Sequence, residues 1–110
     1  MIIAERILTL HKSPDDVPVR IEIYQPVESE GSWGCKWTIY WPDRTRQSEI
    51  FGYDSAQAII LTMMAIGSEI YASDEHKSGN LRWGDSKGGY GFPIPHIIRN
   101  LLVGDDATFF

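Results

Sequence analysis

Between Ser32 and Trp41 the chain alternates without a break. Trp33, Cys35, Trp37, Ile39 and Trp41 fall on one face, and Ser32, Gly34, Lys36, Thr38 and Tyr40 on the other. Successive side chains of a strand point to opposite faces, so this pattern predicts a half-buried strand over 32–41. Two β-branched segments precede it, 2–11 and 18–25, parted by Ser13-Pro14-Asp15-Asp16. Proline with its fixed φ, and aspartates that bond to their own backbone, favour a turn, so the pair reads as a hairpin. In its second strand Val19, Ile21 and Ile23 share one face, while Arg20, Glu22 and Tyr24 share the other. Pro42-Asp43 marks another turn, and the polar segment 45–51 reads as an edge strand, where charge discourages pairing with other chains.

The period then changes. Asp54 is suited to cap a helix, since its carboxylate can accept from orphan backbone N–H groups at the positive end. A helix is predicted over 55–72, with Ile59, Met63, Ile66 and Ile70 on one face. Ile60, Met64 and Tyr71 lie beside that face, Leu61 and Ala65 lie further round, and no charge occurs between Asp54 and Glu69. A helix this apolar needs cover on more than one side. Phe92, Ile94, Ile97, Ile98, Leu101 and Leu102 can supply it from within the chain, and a homodimer interface is the alternative. Gly67 suits either through close backbone approach.

Residues 73–80 read as a loop, Leu81-Arg82-Trp83 as a short strand, and Gly84 to Gly91 as a flexible loop. Pro93 and Pro95 confine any last helix to the stretch from about Pro95 to Gly104. The predicted fold is α+β, one domain over 1–110: a four-stranded antiparallel β-meander packed on one long apolar helix, covered by a C-terminal strand and helix segment over 81–103. The tail 104–110 joins acids to two phenylalanines, as acidic docking peptides do. A frayed or folded-back terminus is the plainer reading.

Composition narrows the function. Four Trp, five Tyr and four Phe are enough aromatic surface for a sizeable core. A net charge of −5, with basic residues scattered and only Arg44 and Arg46 near one another, argues against nucleic acid. A single cysteine, Cys35, leaves no intrachain disulfide or multi-cysteine zinc site. The first residues lack the basic and apolar regions of a signal peptide. The longest apolar run, Ala56 to Gly67, is interrupted and falls short of the roughly 18 residues that span a bilayer. A cytoplasmic protein with no membrane partner is expected.

No constellation rises to a catalytic motif. Asp85 to Gly91 is glycine-rich, but lacks the order and strand–helix setting of a phosphate loop. His11, His76 and His96 are far apart and sit in no metal-ligand spacing, so neither a metal nor a cofactor is expected. Cys35 on the tryptophan face reads as a buried structural thiol rather than a nucleophile. That face itself reads as core rather than as a stacking platform. The opposite face carries Arg20, Glu22, Tyr24, Lys36 and Tyr40, a mix of charge and amphipathic aromatics found at protein interfaces.

The runs Phe51 to Ala58, Ile66 to Tyr71, Leu81-Arg82-Trp83 and Gly91-Phe92-Pro93 resemble a family of small bacterial proteins of unknown function. The resemblance extends over most of the chain from Ala4-Glu5-Arg6. It implies a full-length single domain of bacterial type and carries over no catalytic residue. The reading favoured on all grounds is a non-enzymatic domain that binds a protein, either itself or a target in the manner of an immunity protein. The alternative is a small-molecule binder or enzyme with a site by the Gly84–Gly91 loop, using Trp83 and Tyr90.

Overall fold

The computed structural model describes residues 1–85, 88–95 and 102–109. Five strands precede the long helix: β1 (Ile2–Leu10), β2 (Val17–Tyr24), β3 (Val27–Ser29), β4 (Ser32–Trp41) and β5 (Arg44–Gly52). Then come α1 (Ser55–Ala72), α2 (Asp74–Lys77), β6 (Leu81–Arg82) and α3 (Gly104–Phe109). All strand pairs are antiparallel. β5 takes one edge of β4 along its length, while β2 and the short β3 share the other edge in succession. β1 follows outside β2, and β6 pairs only with Thr9 and Leu10 of β1.

The meander is therefore as predicted, extended to six strands. β3 escaped the sequence reading because its three residues are all exposed and show no alternation, and Pro26 parts them from β2. A two-residue turn joins β3 to β4, with Glu30 and Gly31 both at positive φ (52° and 82°), the geometry that matches the twist of paired strands.

The register puts the expected apolar residues on one face. Ile21 lies opposite Ile39, Ile23 opposite Trp37, and Leu8 opposite Val19. All six are buried in one cluster with Cys35, Trp41, Ile66 and Ile70. The tryptophan face is thus core, and the Cys35 thiol donates to Tyr24 O at 3.3 Å. β5 is an edge, as its polarity suggested; Arg44 and Arg46, the nearest approach to a basic patch, reach off it to Glu75 and Glu69 in paired N–H···O contacts of 2.8–3.1 Å.

α1 begins where Asp54 caps it, its carboxylate accepting from Gln57 N at 2.7 Å, while the Gln57 side chain accepts from Tyr53 N. α1 is long and apolar enough to span a bilayer, with a mean hydropathy of 1.2, as core helices of folded domains also can be. It packs here on β4 and β5. Its second cover is in-chain: a Cβ at Gly67 would run into Pro93 O and come within 3.0 Å of Ile94 Cγ2. The segment Phe92–Ile94 therefore crosses α1 at its one residue without a side chain. Ile60 and Leu61 stay exposed on the first half of the helix. The proposed last helix after Pro95, with Ile97, Ile98 and Leu101, lies outside the described residues.

Two short helices stand where none was expected. Ser73 ends α1 through Ser73 N to Ile70 O and starts α2 by accepting from His76 N at 3.1 Å, so residues 74–77 form one helical turn rather than loop. α3 occupies the tail, and Asp106 within it is buried. The terminus is folded back onto the domain.

Candidate functional site

The sheet face opposite α1 is the first candidate. Register sets Arg20 beside Tyr40 and Ile7, Glu22 beside Thr38 and Glu5, and Lys36 beside Glu49. Five of the seven nominated residues, Arg20, Glu22, Tyr24, Lys36 and Tyr40, are thereby brought onto one surface. At its centre Glu22 is only 7% exposed, although the face is open. The flanking tyrosines account for this. Tyr24 donates its hydroxyl to Glu22 Oε1 at 3.0 Å. Hydrogen bonding to Glu22, then to Tyr24, pushes the Tyr40 hydroxyl up to about 12, so it stays protonated. Glu5 meets Arg20 at 3.6 Å.

Around this centre a depression of about 480 Å³ is lined by Ile7, Pro18, Arg20, Glu22 and Tyr40. A second, of about 280 Å³, lies by Tyr24, Lys36, Thr38 and Glu49. The surface thus offers phenol donors, an oriented carboxylate and two cations, a set suited to recognition. Glu5, Ile7 and Glu49 were not singled out from sequence. Their alternation with the neighbouring strands was the signal that could have found them.

Trp83 and Tyr90 lie elsewhere, on the core side of the sheet. Trp83 is stacked on the Arg6 guanidinium, 3.9 Å from its ring centroid. Tyr90 is 4% exposed and packs edge-on to Tyr71 and His76. Its accessibility as a binding residue is therefore small, because rings from α1 and α2 close over it. Burial raises its hydroxyl to about 12, and His76 Nδ1 lies 2.6 Å away. Burial, and then Lys77, lowers the His76 pKa. Both shifts favour the neutral forms of the pair, a phenol beside an imidazole. A cleft of about 460 Å³ opens beside this pair, lined also by Arg82, Gly88 and Gly89.

Behind Tyr90 the buried Asp106 gathers three donors: Tyr71 Oη, Tyr90 N and Gly91 N, each at 2.8 Å. Burial, followed by the Asp106 hydrogen bond, raises the Tyr71 pKa. Sequence reasoning missed Asp106, Tyr71 and His76 as a unit. Of the other histidines, His11 pairs with Asp16 at 3.0 Å on the surface, and His96 is outside the described residues. Among the described residues no three His, Cys, Asp or Glu side chains gather to hold a metal ion.

The lowered His76 pKa has a sign. The unfolded histidine takes a proton below about pH 6.5 while the folded one resists it, so stability is present above that pH and is lost as pH falls through the lower folded value. Urea midpoints measured between pH 7.5 and 5 should fall more for the wild type than for His76→Gln. Equal slopes would remove His76 as the cause.

Residues 4–94 match the family model described as "Domain of unknown function (DUF6968)", which covers most of the chain; the chain belongs to that family. Nothing among the curated proteins or the solved structures matches it.

Proposed function

We propose that this member of the DUF6968 family is a non-enzymatic domain that acts by binding a protein through the open face of its sheet. The observation that carries this reading is the convergence of Arg20, Glu22, Tyr24, Lys36 and Tyr40 around a carboxylate that two phenols shield. Tyrosine and arginine supply large contact area and directed hydrogen bonds, the composition of interface hot spots. With Glu5 and Glu49 the face carries three carboxylates and two cations, and the whole chain carries −5, so a basic partner surface fits best. A small acidic bacterial protein that neutralises a toxin, acting in the cytoplasm, is one concrete form. Self-association is the other, since the face mixes both signs of charge.

The test compares the wild type with Arg20→Glu and Tyr40→Ala, first checked for unchanged thermal unfolding. Both positions are exposed, so the fold should tolerate them. Light scattering across a hundredfold concentration range reads self-association, and cross-linked capture from the source cell reads a foreign partner. The expected result is an association at least tenfold weaker in both variants. An unchanged association, or none by either measurement, would overturn the reading.

The competing small-molecule reading has one observation in its favour, the cleft beside Tyr90 and His76. Trp83, which it also needs, does not line that cleft and is stacked with Arg6.

A further inference from the structure

Arg6 stands on the core face of β1, opposite Ile21. Its guanidinium stacks on Trp83 and lies 4.7 Å from the Phe92 ring centroid. One N–H group, on Nη1, donates to Tyr90 O at 2.9 Å. A guanidinium has five N–H donors, and Arg6 is half-buried, where a charge-assisted bond to an anion is stronger than in open water. Among the described residues no carboxylate lies within ion-pair distance of Arg6. Asp106, the acid whose charge acts on it, already serves Tyr71, Tyr90 and Gly91. Burial accordingly lowers the Arg6 pKa, with Asp106 only partly opposing.

Arg6 is also one wall of a half-closed cleft of about 120 Å³ between β1, β2, α1 and Phe92. The remaining walls are the apolar side chains of Ile3, Ile21, Ile23, Ile59, Met63 and Phe92, with Ala4 and Glu5 between them; the Glu5 carboxylate itself is turned to the other face of the sheet, 3.6 Å from Arg20. Ile3, 45% exposed, marks the side open to solvent. A cation with spare donors beside a row of apolar side chains, the Glu5 carboxylate being held on the opposite face by Arg20, specifies a ligand that is apolar along its length and anionic at one end. The geometry points to a binding site for a small aliphatic monocarboxylate, its carboxylate on Arg6 and its chain against Ile21, Ile59 and Met63. The volume fits a chain of roughly four or five carbons, given that a cavity of about 150 Å³ can hold benzene. Such a carboxylate completes the charge that the described residues leave unmatched, and the chain removes apolar surface from water.

Sodium pentanoate and 1-pentanol are the probes, titrated into the purified full chain and followed by two-dimensional NMR shifts and thermal unfolding. Pentanoate should bind saturably, with Kd on the order of 1 mM, and pentanol at least tenfold more weakly. Arg6→Met should abolish the preference for pentanoate. Met63→Phe, which fills the cleft with Arg6 in place, should abolish binding of both and serves if the Arg6 variant does not fold. Equal binding of the acid and the alcohol, no saturable binding of pentanoate, or pentanoate binding that survives Met63→Phe would each overturn the assignment.

Discussion

Asp106→Ala is expected to destabilise the domain by about 4 kcal/mol. The side chain is 2% exposed and accepts from a phenol and two backbone N–H groups. Alanine leaves the buried Tyr90 N and the half-buried Gly91 N without their acceptor, and each such orphan costs about 1–3 kcal/mol. Gly91 has little room to rearrange, because at φ 76° a Cβ there would run into the Trp83 ring and come within 2.7 Å of Arg6 Nη1. For a domain whose total stability is about 5–15 kcal/mol, this should lower Tm by more than about 15 °C. Urea unfolding gives the free energy, and amide exchange at Tyr90 and Gly91 locates it. Asp106→Asn should fall between, since it keeps one acceptor but turns an N–H donor toward another donor. A loss below about 1 kcal/mol in Asp106→Ala would show that the tail contributes little to the fold.

Gly67→Val should cost about 3 kcal/mol, against the ordinary expectation for a glycine within a helix. Where nothing stands nearby, replacing such a glycine by alanine gains up to about 1 kcal/mol in helix propensity. Here the added Cβ runs into the carbonyl oxygen of Pro93 and meets Ile94 Cγ2 at 3.0 Å. The oxygen belongs to backbone, so relief requires the Phe92–Ile94 segment to lift from α1. Lifting it exposes Phe92 and Ile94, both buried in the core cluster. Even Gly67→Ala should destabilise, and that sign is the discriminating result of a calorimetric comparison. A stabilised Gly67→Ala would mean that the segment does not bear on the helix.

Much of this architecture was legible because it is periodic. The strand 32–41 and the helix 55–72 fall at the residues that alternation and the Asp54 cap indicated. The candidate face followed from the same alternation, since core placement of Val19, Ile21, Ile23 and the tryptophans sends Arg20, Glu22, Tyr24, Lys36 and Tyr40 to the other side. What failed to show were features without a period. β3 has three exposed residues, and α2 has a single turn held by Ser73. Neither gives a window long enough to reveal a repeat.

The Asp106 cluster could not be read at all. Its members lie 15, 16 and 35 positions from Asp106, and an aspartate next to another acid in a terminal segment looks solvated. Arg6 has the same character, as a single cation in an apolar strand whose partners Trp83, Tyr90 and Phe92 come from the far end of the chain.

Local pattern therefore settled which faces are apolar, where the meander turns and that α1 needs a second cover, because side-chain direction along a strand or helix follows from backbone geometry alone. Only the folded arrangement decided what supplies that cover. It lies in the Phe92–Ile94 crossing at Gly67, a contact between segments about 25 residues apart whose energy depends on distances no spacing rule encodes. It also turned one aspartate of an acidic tail into a buried acceptor. That outcome rests on three donors meeting one carboxylate in space.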